Sequence, residues 1–249
     1  MGKRLKREKA MKNEVKLVLK DSQIHTAIAA LDLFFRMHLG QYDAIDMLYQ
    51  WNCLHYDHDI DEARDALMVP IRNALMPDMK SSGFRGSRGI YNELNHPDCM
   101  DAYNLMCSIR SAYAWYRDPT CTYATVDYRP PTRKGRYSPA ECVIETIDRV
   151  AVANVTMCRE QFELLLTAAQ VYLDVLTGKL REAFAVFTHD SALLALAEEA
   201  EQYHPENMSK KVLSKAENLL QLLRKTAGLN AAQEGENRNG TDITPRRNR

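Results

Sequence analysis

The sequence predicts an α+β protein that is mainly helical and has short antiparallel strands. Three observations support this prediction. Apolar and polar residues alternate near Val15, as in a half-buried strand. Apolar residues recur at helical spacing through most of the remaining chain. The order strand, helix, helix occurs twice, which is typical of a degenerate duplication.

The first half of the chain begins with a strand at residues 15–20. Asp21 or Ser22 can cap the helix that follows, and Gly40 suits its C-terminal turn, because glycine adopts positive φ without strain. Pro97 fits the first turn of a later helix. The predicted helices span residues 21–40, 43–54, 61–75 and 97–118, and Tyr123, Thr125 and Tyr128 indicate a further β-prone stretch.

The pattern restarts after Pro139. Val155 and Met157 indicate a second strand, and helices are predicted at residues 160–176, 180–187 and 209–225. We interpret this half as a degenerate copy of the first, the alternative being chance similarity of two amphipathic hairpins. At an offset of 138 positions the aligned pairs are Leu17 with Val155, Leu19 with Met157, Gln23 with Gln161, Ala30 with Ala168, Phe34 with Tyr172, Gly40 with Gly178 and Tyr49 with Phe187.

Four segments are predicted from these patterns. They are a basic N-terminal extension at residues 1–11, a ligand-binding α+β domain at 12–150, a helical domain with the degenerate repeat at 151–228, and a disordered tail at 229–249. The tail is polar and lacks apolar periodicity, which is typical of disorder. The basic ends are interpreted as solvated tails, with nucleic-acid-binding arms as the alternative.

Charge and hydropathy exclude several classes of protein. The formal net charge is zero, which disfavours a nucleic-acid-binding protein, because such proteins depend on many phosphate contacts. No apolar run reaches the ~18 residues of a membrane-spanning helix, and no apolar signal region follows the basic start. We expect a cytoplasmic protein without membrane contact. Its six cysteines form no Cys-x-x-Cys pair and are expected to be reduced.

Potential metal ligands are concentrated at residues 53–61. Cys53, His55 and His58 lie there, but no second Cys or His pair completes a tetrahedral zinc site. Glu62 occupies the position of the turn glycine in a calcium-binding loop. We interpret the aspartates as an acidic helix start and predict neither a metal site nor a cofactor. These aspartates are Asp57, Asp59 and Asp61.

The sequence carries no recognised catalytic motif. It lacks a nucleophile elbow, a zinc-protease helix and a phosphate-binding Walker loop. Glu93 and Asp101 could act as acid or base, but no partner is evident for either. We therefore predict a binding protein, with an enzyme as an open alternative.

A Gly-rich segment at residues 81–92 is the strongest indication of ligand binding. Glycine lets the backbone approach a ligand, arginine binds phosphate, and an aromatic ring stacks on a base. The alternative is a flexible surface connection. The segment lies between two clearly predicted helices, which favours binding. Its candidate ligand-binding residues are Phe84, Arg85, Arg88 and Asn92.

Four short motifs resemble a family of small phage and prophage proteins over residues 12–148. Residues 30–42 read Ala-Leu-Asp-Leu-Phe-Phe-Arg-Met-His-Leu-Gly-Gln-Tyr, and residues 89–92 read Gly-Ile-Tyr-Asn. Residues 109–115 read Ile-Arg-Ser-Ala-Tyr-Ala-Trp and precede Val-Asp-Tyr at 126–128. The family resembles the anti-Thoeris sponges, which sequester the cyclic ADP-ribose signal of bacterial TIR-domain defence proteins. Some members also hold cyclic oligonucleotides.

The resemblance implies a homo-oligomer in the cytoplasm of an infected bacterium that binds a cyclic nucleotide without cleaving it. Pockets would lie at subunit interfaces, although the additional C-terminal residues of this chain could replace a neighbouring subunit. The alternatives are a phage structural or protein-interaction component without a nucleotide ligand, and an enzyme that degrades the signal. The implied pocket residues are Arg36, Phe84, Asn92 and Arg110, with Arg64 or Arg72 as a further candidate.

Overall fold

A computed structural model describes residues 14–53, 58–80, 86–122, 125–132, 134–205 and 208–239, with the backbone alone at 58–61 and 229–239. The described residues confirm the prediction of a mainly helical α+β fold with a small antiparallel sheet. The elements in chain order are β1 (Glu14–Lys20), α1 (Asp21–His38), α2 (Asp43–Asn52), α3 (His58–Leu75), α4 (Pro97–Arg117), β2 (Glu141–Ile147), β3 (Val150–Cys158), α5 (Arg159–Leu176), α6 (Leu180–Ala185), α7 (Ser191–Ala200) and α8 (Lys210–Asn239).

The three strands form one sheet in the order β1-β3-β2, and both pairings are antiparallel. The alternation in β1 places Val15, Leu17 and Leu19 on the buried face, because successive side chains of a strand point to opposite faces. β3, which begins at the predicted domain boundary, is the central strand. The division into two domains stays a prediction.

Helix α1 lies at the centre of the hydrophobic core. It packs against α4 and α5, and Ile24, Leu31 and Phe34 are almost completely buried. Helices α1 and α4 run antiparallel. The ring centroids of His25 and Tyr113 lie 4.9 Å apart, and those of Phe35 and Tyr103 lie 5.4 Å apart. The start of α4 therefore meets the end of α1.

The two strand–helix–helix segments share details of backbone geometry at the expected offset. Leu17 of β1 pairs directly with Val155 of β3, its aligned partner. Gly40 and Gly178 both have positive φ, +77° and +75°. The turns also share a hydrogen bond, from Gln41 N to the Arg36 carbonyl at 3.0 Å and from Lys179 N to the Asp174 carbonyl at 2.8 Å. This agreement supports the interpretation as a degenerate duplication.

Several elements differ from the sequence-based prediction. In the predicted β-prone stretch at 123–128, Tyr123 and Ala124 lie outside the described residues, and Val126–Tyr128 forms a short 3-10 helix that packs on α4. Pro130 and Pro131, which follow it, disfavour a strand. Strand β2 and helix α7 were not predicted. Helix α8 continues through Gly228 to Asn239, where a disordered tail was expected. The predicted extension at 1–11 and the last ten residues lie outside the described residues.

Among the helices of the described residues, none combines the length and the apolar character needed to cross a lipid bilayer.

Gly40→Ala is expected to destabilise the fold. A Cβ atom at this position would lie 2.5 Å from the Met76 sulfur, and the positive φ adds a cost of about 1–2 kcal/mol for an L-residue. Gly228→Ala is the control, because no atom lies within 4 Å of its Cβ position in helix α8. The control should raise the free energy of unfolding by up to about 1 kcal/mol. Urea denaturation followed by circular dichroism measures both, and equal stabilities would contradict the prediction.

Candidate functional site

Arg110 lines a cavity near the start of α1. The cavity has a volume of about 430 Å³ and lies between α1, the end of α4 and the Val126–Tyr128 turn. It therefore collects residues from three separate segments of the chain. Its lining residues are His25, Ile28, Arg110, Tyr113, Ala114, Arg117, Asp118, Asp127 and Tyr128.

The guanidinium of Arg110 is largely buried but weakly engaged. Its side chain is 15% exposed, and the nearest carboxylate oxygen of Asp127 lies 3.8 Å from Nε. Nε makes no hydrogen bond within the described residues, and Nη2 donates only to the Cys107 sulfur, at 3.7 Å. Buried guanidinium donors usually find oxygen partners. Arg110 can therefore donate hydrogen bonds to an anionic ligand without losing a strong internal partner.

Aromatic side chains form part of the wall of this cavity. The Tyr113 ring packs edge-on against His25, and its hydroxyl donates to Asp21 at 2.6 Å. Burial, followed by the hydrogen bond to Asp21, raises the pKa of Tyr113 to about 12, so the hydroxyl stays protonated at neutral pH. Tyr128 contacts Trp115 at 4.9 Å between ring centroids. Ring faces and edges are thus available to a flat base.

The chemistry of this cavity favours binding. Arg110 and Arg117 supply positive charge, and two exposed carboxylates, Asp118 and Asp127, also line the cavity. The Cys107 thiol contacts Arg110, and burial raises the pKa of this thiol, which keeps it protonated and poorly reactive.

Arg36 lies at the opposite end of α1 from this cavity. Its Nε donates to Asp32 at 2.7 Å and Nη1 donates to the Gln41 side chain at 3.0 Å. Gln41 in turn donates to the Ser87 hydroxyl at 2.9 Å, which links Arg36 to the described end of the Gly-rich segment. Arg36 also lines a separate cavity of about 290 Å³ beside the exposed ring of Trp51.

Arg88 is a structural residue of the same region. Its Nε and Nη2 both donate to Asp78, and Nη1 donates to the Leu94 carbonyl at 3.0 Å. Its backbone N donates to the Leu39 carbonyl at 3.1 Å. The side chain is 9% exposed, so these bonds compensate the cost of burying the charge. Arg88 therefore fastens the end of the Gly-rich segment to the turn after α1.

Arg72 and Asn92 also have internal partners. Arg72 is buried in α3 and donates to the Met79 carbonyl at 3.2 Å. Asn92 is exposed, and its side-chain oxygen accepts from the backbone N of Leu94 at 2.9 Å, which closes a local turn. Phe84 and Arg85, also predicted to bind ligand, lie outside the described residues.

The predicted site residues thus fall into two groups. Arg36, Arg72 and Arg88 surround the turn at residues 39–42, and Arg110 lies near the start of α1. Sequence reasoning did not identify Tyr113 or Arg117. Their spacing of three and seven residues from Arg110 places all three on one face of α4, and this periodicity could have identified them.

A third cavity, of about 290 Å³, lies where the end of α1 meets the start of α4. His38 and His96 stack in parallel at 5.2 Å between ring centroids, with an interplanar angle of 10°. Asp98 Oδ2 lies 3.6 Å from His96 Nδ1. Burial, and then the nearby His96, lower the pKa of His38 to about 4, so its imidazole is neutral at pH 7.

No model of a known protein family matches the chain, and neither a curated protein nor a solved structure matches it.

Arg88→Ala is expected to destabilise the protein, because the change removes three charge-assisted hydrogen bonds from a buried side chain. We expect the free energy of unfolding to fall by about 2 kcal/mol or more. Arg181→Ala is the control, since this arginine forms an exposed ion pair with Glu198. Exposed pairs of this kind contribute at most about 1 kcal/mol. Urea denaturation of both variants checks the difference, and equal losses would show that Arg88 has no special structural role.

Proposed function

We propose that the protein is a phage anti-defence sponge that holds a cyclic nucleotide immune signal in the Arg110 cavity without cleaving it. The observation that carries the proposal is the state of Arg110. Its guanidinium is mostly buried, faces a cavity of about 430 Å³ and lacks a strong internal partner within the described residues. A phosphate oxygen is the partner that best fits such a group.

The size and composition of the cavity support a nucleotide-sized ligand. Small-molecule sites have volumes of about 300–1,000 Å³ and combine apolar walls with a few polar groups. Arg117 provides a second cation for a second phosphate, and Tyr113 and Tyr128 provide rings for a base. The side chains needed for a phosphate and a flat base therefore occur together.

The family resemblance also favours the Arg110 cavity as the ligand site. The motif at residues 109–115 supplies Arg110, Tyr113 and Ala114, and the motif at 126–128 supplies Asp127 and Tyr128. Two motifs that are separate in the sequence thus meet at one site. A sponge of the resembling type acts in the cytoplasm of the infected cell as a homo-oligomer, and its ligand is a cyclic ADP-ribose isomer or a cyclic oligonucleotide.

Arg110→Gln is expected to weaken nucleotide binding by about 10- to 100-fold, since hydrogen bonds to charged groups contribute about 1.5–3 kcal/mol. Isothermal titration with cyclic ADP-ribose isomers and with cyclic di- and trinucleotides measures this loss. Arg181→Gln is the matched control, because this exposed arginine in α6 pairs with Glu198 and lies in no described cavity. The control should bind as the wild type does.

The same ligands distinguish the alternatives. After incubation, removal of unbound ligand and denaturation, a sponge releases the intact nucleotide and an enzyme releases a changed product. A structural or protein-interaction component releases neither the intact nucleotide nor a product. Wild-type affinity in Arg110→Gln would show that this cavity is not the binding site.

A further inference from the structure

We infer that His38, His96 and Asp98 form a binding site for a divalent transition metal ion, with Zn²⁺ as the best-matched ion. One ligand atom from each residue lies within 4.8 Å of the others. Two imidazoles and a carboxylate are the ligands of many zinc sites that keep a fourth position for water. This site is distinct from the Arg110 cavity and does not depend on the proposed function.

The fold brings these ligands together from distant parts of the chain. His38 is the last residue of α1, His96 is the N-cap of α4 and Asp98 lies in the first turn of α4. The partial negative charge at the C-terminal end of α1 is offset by the partial positive charge at the N-terminal end of α4, so the ligand atoms and not the helix dipoles select the ion. The antiparallel packing of α1 and α4 therefore creates the site.

The His38 ring is held in place by neighbouring aromatic side chains. Phe34 and Phe187 each contact it edge-on, with ring centroids 4.7 Å away. Its Nε2 atom is buried and has no hydrogen-bond partner among the described residues. A buried ring nitrogen without a partner costs free energy. A metal ion bound to this nitrogen would remove that cost.

The charges around the cavity permit a cation. One oxygen of Asp98 binds Arg136, and the other faces His96. Arg88 also lines the cavity, but its guanidinium pairs with the Asp78 carboxylate and donates a hydrogen bond to the Leu94 carbonyl. Asp98 Oδ2 therefore remains available as a ligand, and the charge of Arg88 is balanced.

The ligand atoms must move closer together when the ion binds. Zinc–nitrogen distances of about 2.0–2.1 Å place tetrahedral ligands about 3.3 Å apart. His96 can make this movement because its side chain is 59% exposed. The cavity of about 290 Å³ leaves space for a water molecule in the fourth position.

Titration of the full-length, chelator-treated protein with Co²⁺ tests the site. We expect a single saturable site per chain with the visible absorption of tetrahedral Co²⁺, which Zn²⁺ displaces. His96→Asn removes the imidazole and keeps a side chain suited to the N-cap. The affinity should fall at least about tenfold, since even outer-shell changes at metal sites have effects of that size. His189→Asn, which changes an exposed histidine outside the cavity, should leave the affinity unchanged.

A second pair of variants separates ligand loss from structural damage. Asp98→Asn removes the carboxylate charge, whereas Arg136→Gln removes the ion pairs of Arg136 with Asp98 and Asp101 but leaves the ligand. We expect weaker Co²⁺ binding in Asp98→Asn alone. Thermal melting with and without Zn²⁺ gives an independent result, because the ion should raise the melting temperature of wild type and not of His96→Asn. Absence of saturable binding, or equal affinity in His96→Asn and wild type, would overturn the site.

Discussion

The antiparallel packing of α1 against α4 is the contact on which both candidate sites depend. At one end of this contact His25 meets Tyr113 beside Arg110, and at the other end His38 meets His96. Between them the Cys99 thiol donates to the Phe35 carbonyl, and the core residues of both helices are almost completely buried. Burial of these apolar side chains stabilises the contact and fixes the axial position of each helix. A shift of one helix along the other would separate the residues of both sites.

The buried arginines of this protein differ in the polar partners of their guanidinium groups. A guanidinium that leaves water requires partners, and the buried Arg88 obtains them from Asp78 and Leu94. Arg64 is also buried and donates to Asp46. Arg110 is nearly as buried, but among the described residues its polar partners are a carboxylate oxygen at 3.8 Å and the Cys107 sulfur. The contacts of these arginines within the described residues therefore differ more than their burial does.

The two strand–helix–helix segments differ in the side chains that they contribute near the candidate sites. At the shared offset, His38 corresponds to Leu176 and Arg36 corresponds to Asp174, so the second segment has neither the imidazole nor the guanidinium. It contributes apolar surface instead, including Phe187, whose ring contacts both Phe34 and His38. Gly40 and Gly178 give the two turns the same backbone conformation, because glycine adopts positive φ without strain.

The sequence by itself determined the local features of this protein. Apolar periodicity located β1, β3 and most helices, and the glycines at 40 and 178 marked the turns, because these signals depend on neighbours along the chain. It also identified Arg110 as a candidate. Only the tertiary structure decided that Arg36 and Arg88 lie away from Arg110, that residues 126–128 complete its cavity, and that His38 meets His96. The edge strand β2 depends on pairing with β3 and has a weak apolar alternation of its own. Such relations are set by helix packing and strand register between distant segments, which local patterns do not encode.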